Sequence, residues 1–289
     1  MATSPEQIFQ AIAAVKAFHF LHVGGEIHSD PLALKLLSSF WQFIVRRPWL
    51  FRRILSTRAV HGQILGCCGY TEEALELFLG DRPTQLVICN AGLNSLALRK
   101  SSIELDQLKI FEIDRSSTFS LKRQRVRQGL QMEDFPPNMH ALPIADNADV
   151  REIVEVLEQS PFYASDVPSF VSFLGISYYL TPDTLFATLQ GFAKRLATGS
   201  HIVLDYANRD VNQNDQKELQ YIQRFNRKRG ASLRTMFDGQ VFENKLRELG
   251  FDILDHSRLS NWRSECYEKP SLADLKPWSF VYMIHLEVK

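Results

Sequence analysis

The sequence predicts an α/β protein in which a block of helices precedes a parallel sheet. Three observations carry this reading. Apolar residues recur at helical spacing through the first 80 residues. From Thr84 onward, short apolar runs alternate with segments long enough to hold a helix. The run Gln85-Leu86-Val87-Ile88-Cys89 ends in Asn90-Ala91-Gly92, as a buried parallel strand entering a turn does.

The elements follow in order. Ile8, Ile12, Val15, Phe18 and Leu21 mark a helix over 5–22. A second helix is expected after Asp30-Pro31, where Asp can cap and Pro can occupy the first turn. Later strands are expected at 108–113, 140–144, 170–174 and 201–206. Thr181-Pro182-Asp183 opens a helix whose face is Leu185, Leu189, Phe192 and Leu196, closed by Gly199. The polar stretch 208–235, with Arg227-Lys228-Arg229, reads as an inserted helical or mobile segment before Phe242, Leu246 and Leu249 restore a helix ending at Gly250. Residues 251–254 and the alternation Trp278, Phe280, Tyr282, Ile284 predict a C-terminal antiparallel hairpin at the sheet edge. The expected division is a helical cap over 1–80 and a core over 81–289.

The composition is that of a folded protein, 45% hydrophobic and 23% charged over 289 residues. Lysine plus arginine and aspartate plus glutamate are both 33, giving a net charge of zero, so nucleic acid is an unfavoured partner. The four cysteines, at 67, 68, 89 and 266, have the spacing of neither a disulfide framework nor a zinc site. No metal is expected, and a reducing cytoplasm is the expected location. The N-terminus lacks a basic start followed by an apolar run, and no stretch reaches the roughly 18 apolar residues that span a bilayer.

In an open parallel sheet, ligands bind beyond the carboxyl ends of the strands. Asn90-Ala91-Gly92-Leu93-Asn94 occupies that place, and Asp114 follows the second strand 22 positions after Gly92, where an acidic residue can accept from ribose hydroxyls. The turn lacks both the three-glycine dinucleotide fingerprint and the Gly-Lys-Ser/Thr of a phosphate loop. An adenosine cofactor without phosphates, S-adenosylmethionine, fits better than NAD or ATP.

Several segments in order resemble the motifs of the leucine carboxyl methyltransferase-like family. These are Asp30-Pro31-Leu32-Ala33, Val87 to Ser95, Phe111-Glu112-Ile113-Asp114 with Lys122, Phe173 to Thr181, Gly199 to Tyr206, Ser232 to Phe237 and Leu246 to Phe251. The resemblance implies a class I (Rossmann-like) methyltransferase fold, a seven-stranded mixed sheet under an N-terminal helical cap, using S-adenosylmethionine to methylate a carboxylate or hydroxyl oxygen of a small molecule. It implies that Asn90, Ala91, Gly92 and Leu93 line the methionine end, that Asp114 holds the ribose, and that Leu174 and Gly175 present backbone to the cofactor. Tyr178 and Tyr179 would face the substrate.

The chain departs from the family pattern at Asn90 (Gly), Asn94 (Asp) and Leu96 (Arg). The cap arginine that would pair with the cofactor carboxylate is missing near Gly66-Cys67-Cys68, leaving Arg58 as the nearest upstream candidate. The adenine-binding Asp falls on Ala145, with Asp146 one position away. His61, Tyr70, Tyr178 and Tyr179 could deprotonate or polarise a hydroxyl acceptor, Tyr179 being the position where the family also has Tyr; the alternative is tyrosines packed under the cap with satisfied hydroxyls. Residues 40–53 mix aromatics with four arginines. The favoured reading is a pair of cap helices broken at Pro48, with aromatics over the active site and arginines in water, against an anionic membrane surface or attraction of an anionic substrate. The altered first motif also suits a pocket repurposed for another reaction, or a silent interaction module. The oligomeric state stays open.

Overall fold

In the computed structural model, the residues described are 5–80, 82–103, 107–213, 215–217, 219, 220, 223 and 233–289. The middle of the 208–235 segment, including Arg227-Lys228-Arg229 and Ser232, lies outside them.

The seven strands are β1 (Thr84–Cys89), β2 (Leu108–Arg115), β3 (Met139–Ile144), β4 (Ser169–Phe173), β5 (His201–Ala207), β6 (Phe251–Arg258) and β7 (Val281–Val288). They form one sheet in the order β3-β2-β1-β4-β5-β7-β6, with β7 antiparallel to both neighbours and the other pairings parallel. Order reverses between β1 and β4, so their carboxyl ends open a crevice at the turn that follows β1.

The alternation of side chains explains the two layers. Leu86, Ile88, Ile110, Phe170 and Val203 face one way, against α4 (Arg58–Phe78), α5 (Leu96–Lys100) and α6 (Ser116–Leu130). Val87, Cys89, Phe111, Phe173 and Leu204 face the other, against α7 (Glu152–Glu158), α8 (Pro182–Arg195) and α9 (Gly239–Glu248). Both faces are covered, which is why the central strands read as continuous apolar runs.

A third cluster joins α1 (Pro5–Val23), α2 (Ser39–Val45) and α3 (Pro48–Ile54) around Phe18, whose ring stacks on Phe51 at 4.0 Å. Helix α4 serves both bodies: Leu65 enters the cap core, while Phe78 meets Phe170 and His201 on the sheet.

Three expectations need correction. No helix follows Asp30-Pro31, because residues 31–36 form successive turns and α2 begins only at Ser39. Asp30 does cap, accepting from the amides of Leu32 and Ala33, but its carboxylate is also drawn to the Ser95 hydroxyl at 2.5 Å, and Ser38 caps α2 instead. The last strand starts at Val281, so Trp278 and Phe280 are stacked, buried residues before it. The C-terminal pair is antiparallel as expected, yet it is joined by residues 259–280, with α10 (Ser264–Glu268), rather than by a tight turn, and β7 lies inside the edge strand β6. Gly62 explains how this connection docks: a Cβ there would stand 1.5 Å from the Leu275 carbonyl oxygen.

The 208–235 stretch leaves and re-enters the sheet at one point. The Phe237 amide donates to Ala207, Arg209 donates to Phe237, and Asn208 bridges Phe237. Residues 213, 215–217, 219, 220 and 223 are helical.

One buried ion pair ties the sheet to the first turn. Lys122 and Glu112 are fully buried, with Nζ 2.6 and 2.7 Å from the two carboxylate oxygens and 2.7 Å from the Asn94 carbonyl. Burial pushes the Glu112 carboxyl up, and the Lys122 charge opposes that shift. Lys122→Met should cost about 3–5 kcal/mol in urea unfolding, because it strands a buried carboxylate. Adding Glu112→Leu should recover most of the loss.

Candidate cofactor and substrate site

The turn after β1 is held by its own backbone and by β2. Asn90 has φ 56° and Gly92 φ 52°, both left-handed. Asparagine tolerates that region better than other side chains, so the Gly-to-Asn departure keeps the turn. Asp114 accepts from the Gly92 amide at 2.8 Å and from the Arg115 amide at 2.7 Å. Each carboxylate oxygen has two lone pairs, so capacity remains for a ribose hydroxyl.

Other predicted cofactor residues gather at the same ends of the strands. Asn90, Gly175, Ala145 and Asp146 are exposed there, with Ala91 and Leu93 buried behind them and Leu174 half-buried. Gly175 has φ 69°, and its amide donates at 2.7 Å to Asp205. The Asp146 carboxylate accepts from the amide and hydroxyl of Ser117, and these bonds hold it below the usual carboxylate range. It stays ionised as an acceptor.

A cation that the sequence reading missed stands at the other end of the turn. Lys16, buried on α1, donates at 3.2 Å to the Asn94 side-chain oxygen. Burial works to lower its pKa, but Cys68, Asp30 and Glu72 outweigh it and raise it, so it is an ammonium at neutral pH. Arg58 is engaged elsewhere, at 2.8 Å from Asp274. The signal for Lys16 was a lone lysine on an otherwise apolar helix face. Phe9, also on α1, covers the turn: a Cβ on Gly92 would lie 2.9 Å from its ring.

The candidate catalytic side chains divide. Tyr178 is buried and donates to Asp205 at 2.7 Å while accepting from Gln63 at 3.1 Å. Burial, and then the Asp205 charge, push its phenol well up, so its proton is committed. Asp205 is itself raised by burial, against the bonds from Gly175 and Tyr178. Tyr179, beside it, is 41% exposed with its hydroxyl unbonded among the described residues. Tyr70 donates to Asp255 at 2.5 Å and packs on Trp262. His61 lies on the face of α4 opposite Gln63, about 200° away, with its ring against Phe51 at 5.4 Å. The structure does not bring it together with the tyrosines.

The aromatics of residues 40–53 divide between the surface and the cap core. Phe40, Phe43 and Trp49 are exposed, whereas Phe51 is buried in the cap and Trp41 packs half-buried against the same core. The two cap helices and the break at Pro48 are as expected.

Comparison with known proteins agrees with this layout. The sequence profile of the leucine carboxyl methyltransferase family matches residues 11–193. The chain belongs to that family. A candidate S-adenosyl-L-methionine-dependent methyltransferase, YktD, of Bacillus subtilis (strain 168) is 26% identical over 196 residues, 66% of this chain. The match spans 62% of that relative's length. Among solved structures, a candidate methyltransferase from Thermobifida fusca YX superposes with a TM-score of 0.61 at 14% identity, covering 98% of this chain and 94% of the other. A protein of the DUF574 family from Streptomyces avermitilis gives 0.58 at 11% identity over 96% and 97%. These likenesses establish the class I methyltransferase fold for this family member. Among the described residues no helix is long and apolar enough to cross a membrane.

Burial holds His61 and His19 near a pKa of about 4, with the Arg58 charge lowering both further. An unfolded histidine titrates near 6.5, so between about pH 6.5 and 4 the unfolded chain binds more protons and stability falls with pH. His61→Gln should lose less stability than the wild type between pH 7 and 4.5, measured as the urea midpoint.

Proposed function

We propose that this chain is an S-adenosylmethionine-dependent O-methyltransferase acting on a carboxylate or hydroxyl of a small molecule, in cytoplasmic biosynthesis of a specialised metabolite. The observation that carries the reading is the pairing of two groups across one turn: the Asp114 carboxylate anchored on the Gly92 amide, and the buried Lys16 ammonium on Asn94. A ribose needs the first and an amino-acid carboxylate the second. Family membership and fold supply the rest of the support.

The residues present fit this cofactor. Asn94 gives Lys16 a neutral partner where the family pattern has an aspartate, so the turn itself adds no negative charge to those of Asp30 and Glu72 that already act on the ammonium. His28 and Asp30, whose charges act on Lys16 or feel it, each keep a buried polar atom without a partner among the described residues. Lys16 would hold the carboxylate, Asn90 to Leu93 the methionine chain, Asp114 the ribose, and Ala145, Asp146, Leu174 and Gly175 the adenine side. When bound, the cofactor supplies an electrophilic methyl group.

The protein's own work is positioning and exclusion of water. A carboxylate acceptor is ionised at neutral pH and needs no base. For a hydroxyl acceptor, Tyr179 is better placed than Tyr178 to hold the oxygen, since its hydroxyl is free. A second reading, a pocket repurposed for another reaction or for binding, is favoured by the Phe9 ring lying on Gly92.

Calorimetric titration should show binding of both S-adenosylmethionine and S-adenosylhomocysteine. Lys16→Met and Asp114→Asn should each weaken it by roughly 10- to 100-fold, the range of a lost charge-assisted hydrogen bond. Absence of binding to the wild type at millimolar ligand would replace this proposal with the second reading. Tyr179→Phe should reduce turnover on a hydroxyl acceptor, and full turnover would remove its hydroxyl from the mechanism.

A further inference from the structure

The exposed side of α2 and α3 has an unusual composition. Between Asp30 and Glu72 the chain carries no acidic residue, yet it holds Lys35, Arg46, Arg47, Arg52, Arg53 and Arg58. Overall net charge is zero, so the excess is local. Arg58 is paired with Asp274, whereas Arg46, Arg47, Arg52 and Arg53 are all exposed with no carboxylate partner among the described residues.

Large apolar side chains stand among these cations. Phe40 is 66%, Phe43 49%, Trp49 67% and Ile54 45% exposed. Helical spacing puts Phe40, Phe43 and Arg47 along one side of α2 and its end, and the Arg47 guanidinium lies 3.6 Å over the Phe43 ring. On α3, Trp49 and Arg53 share the side opposite the buried Phe51. The patch continues onto the end of α1, where Phe20 and Leu21 are exposed and His22 is bonded to the Val45 carbonyl at 2.9 Å. The inward sides, Phe18, Ile44, Val45 and Phe51, anchor all three helices in the cap core.

We propose that this face docks on an anionic lipid bilayer, with the rings at headgroup level and the four guanidinium groups on lipid phosphates. Charge decides the occupant. Unpaired arginines around outward-standing rings on convex helices match a planar, negatively charged interface, where Trp and Phe sink to the headgroups and long cationic side chains reach phosphate. Burial against a second copy of the same patch would bring arginines against arginines. Helix α1 runs from this face to the site: Phe18, in the cap core, is nine residues from Phe9 on Gly92, about 14 Å of helix. Docking would therefore set the cofactor turn close above the lipid surface, within reach of an amphipathic acceptor. The docking itself does not depend on the methyltransferase reading.

The test is co-sedimentation of the full chain with vesicles of phosphatidylcholine, or of equal parts phosphatidylcholine and phosphatidylglycerol. Binding is expected to the mixed vesicles only and to weaken as salt rises. Replacing Arg46, Arg47, Arg52 and Arg53 by Gln should cost about fivefold per arginine, and Phe40→Ser with Trp49→Ser should abolish binding while circular dichroism stays unchanged. In parallel, brominated lipid should quench tryptophan fluorescence in the wild type and much less in Trp49→Phe, a readout that needs no disruptive variant. No binding by the wild type, binding that survives both sets of substitutions, or sedimentation as a dimer that Phe40→Ser with Trp49→Ser dissociates would each overturn the proposal.

Discussion

The buried ammonium of Lys122 is the constraint around which the site is built. A charge with no access to water must be neutralised where it sits, and Lys122 spends its three donors on both oxygens of Glu112 and on the Asn94 carbonyl. That contact fixes α6 to β2 and β2 to the turn after β1. Along β2, Ile110, Glu112 and Asp114 share one side, so the face passes from core to ion pair to the carboxylate that holds the Gly92 turn in four residues. Two residues beyond the ion pair, Asp114 stands at the end of β2 and pins Gly92.

The altered first motif is coherent in this setting. Asn90 keeps the left-handed backbone that a glycine would have taken, and Asn94 keeps hydrogen bonds to Lys16 and to the Leu96 amide while shedding a negative charge. Where α4 carries no arginine near Gly66-Cys67-Cys68, α1 brings the buried Lys16 to the same turn. A motif read along one segment cannot register a side chain that arrives from another helix.

Much of the sheet was legible because its periods are short and its burial is two-sided. The expected strands agree with β1 to β5 within a residue or two. Legibility failed where a long-range contact competes with a local signal. Asp30-Pro31 has the chemistry of a helix start, but the Ser95 hydroxyl holds its carboxylate and the chain turns instead. The aromatics of α2 and α3 are divided by packing: Phe51 stacks on Phe18 and Trp41 lies against the same core, while Phe40, Phe43 and Trp49 stand outside.

By itself, the sequence determined the class of fold, the turn that closes β1 and the acidic residue that ends β2. Those depend on patterns within a strand and its following turn, where neighbours in the chain are neighbours in space. Only the tertiary structure decided which polar side chains meet. It set Lys16 on Asn94, 78 residues away, gave the Tyr178 proton to Asp205, 27 residues on, and turned His61 into the cap. Such pairings are fixed by how α1 and α4 pack over the sheet, which no local period encodes.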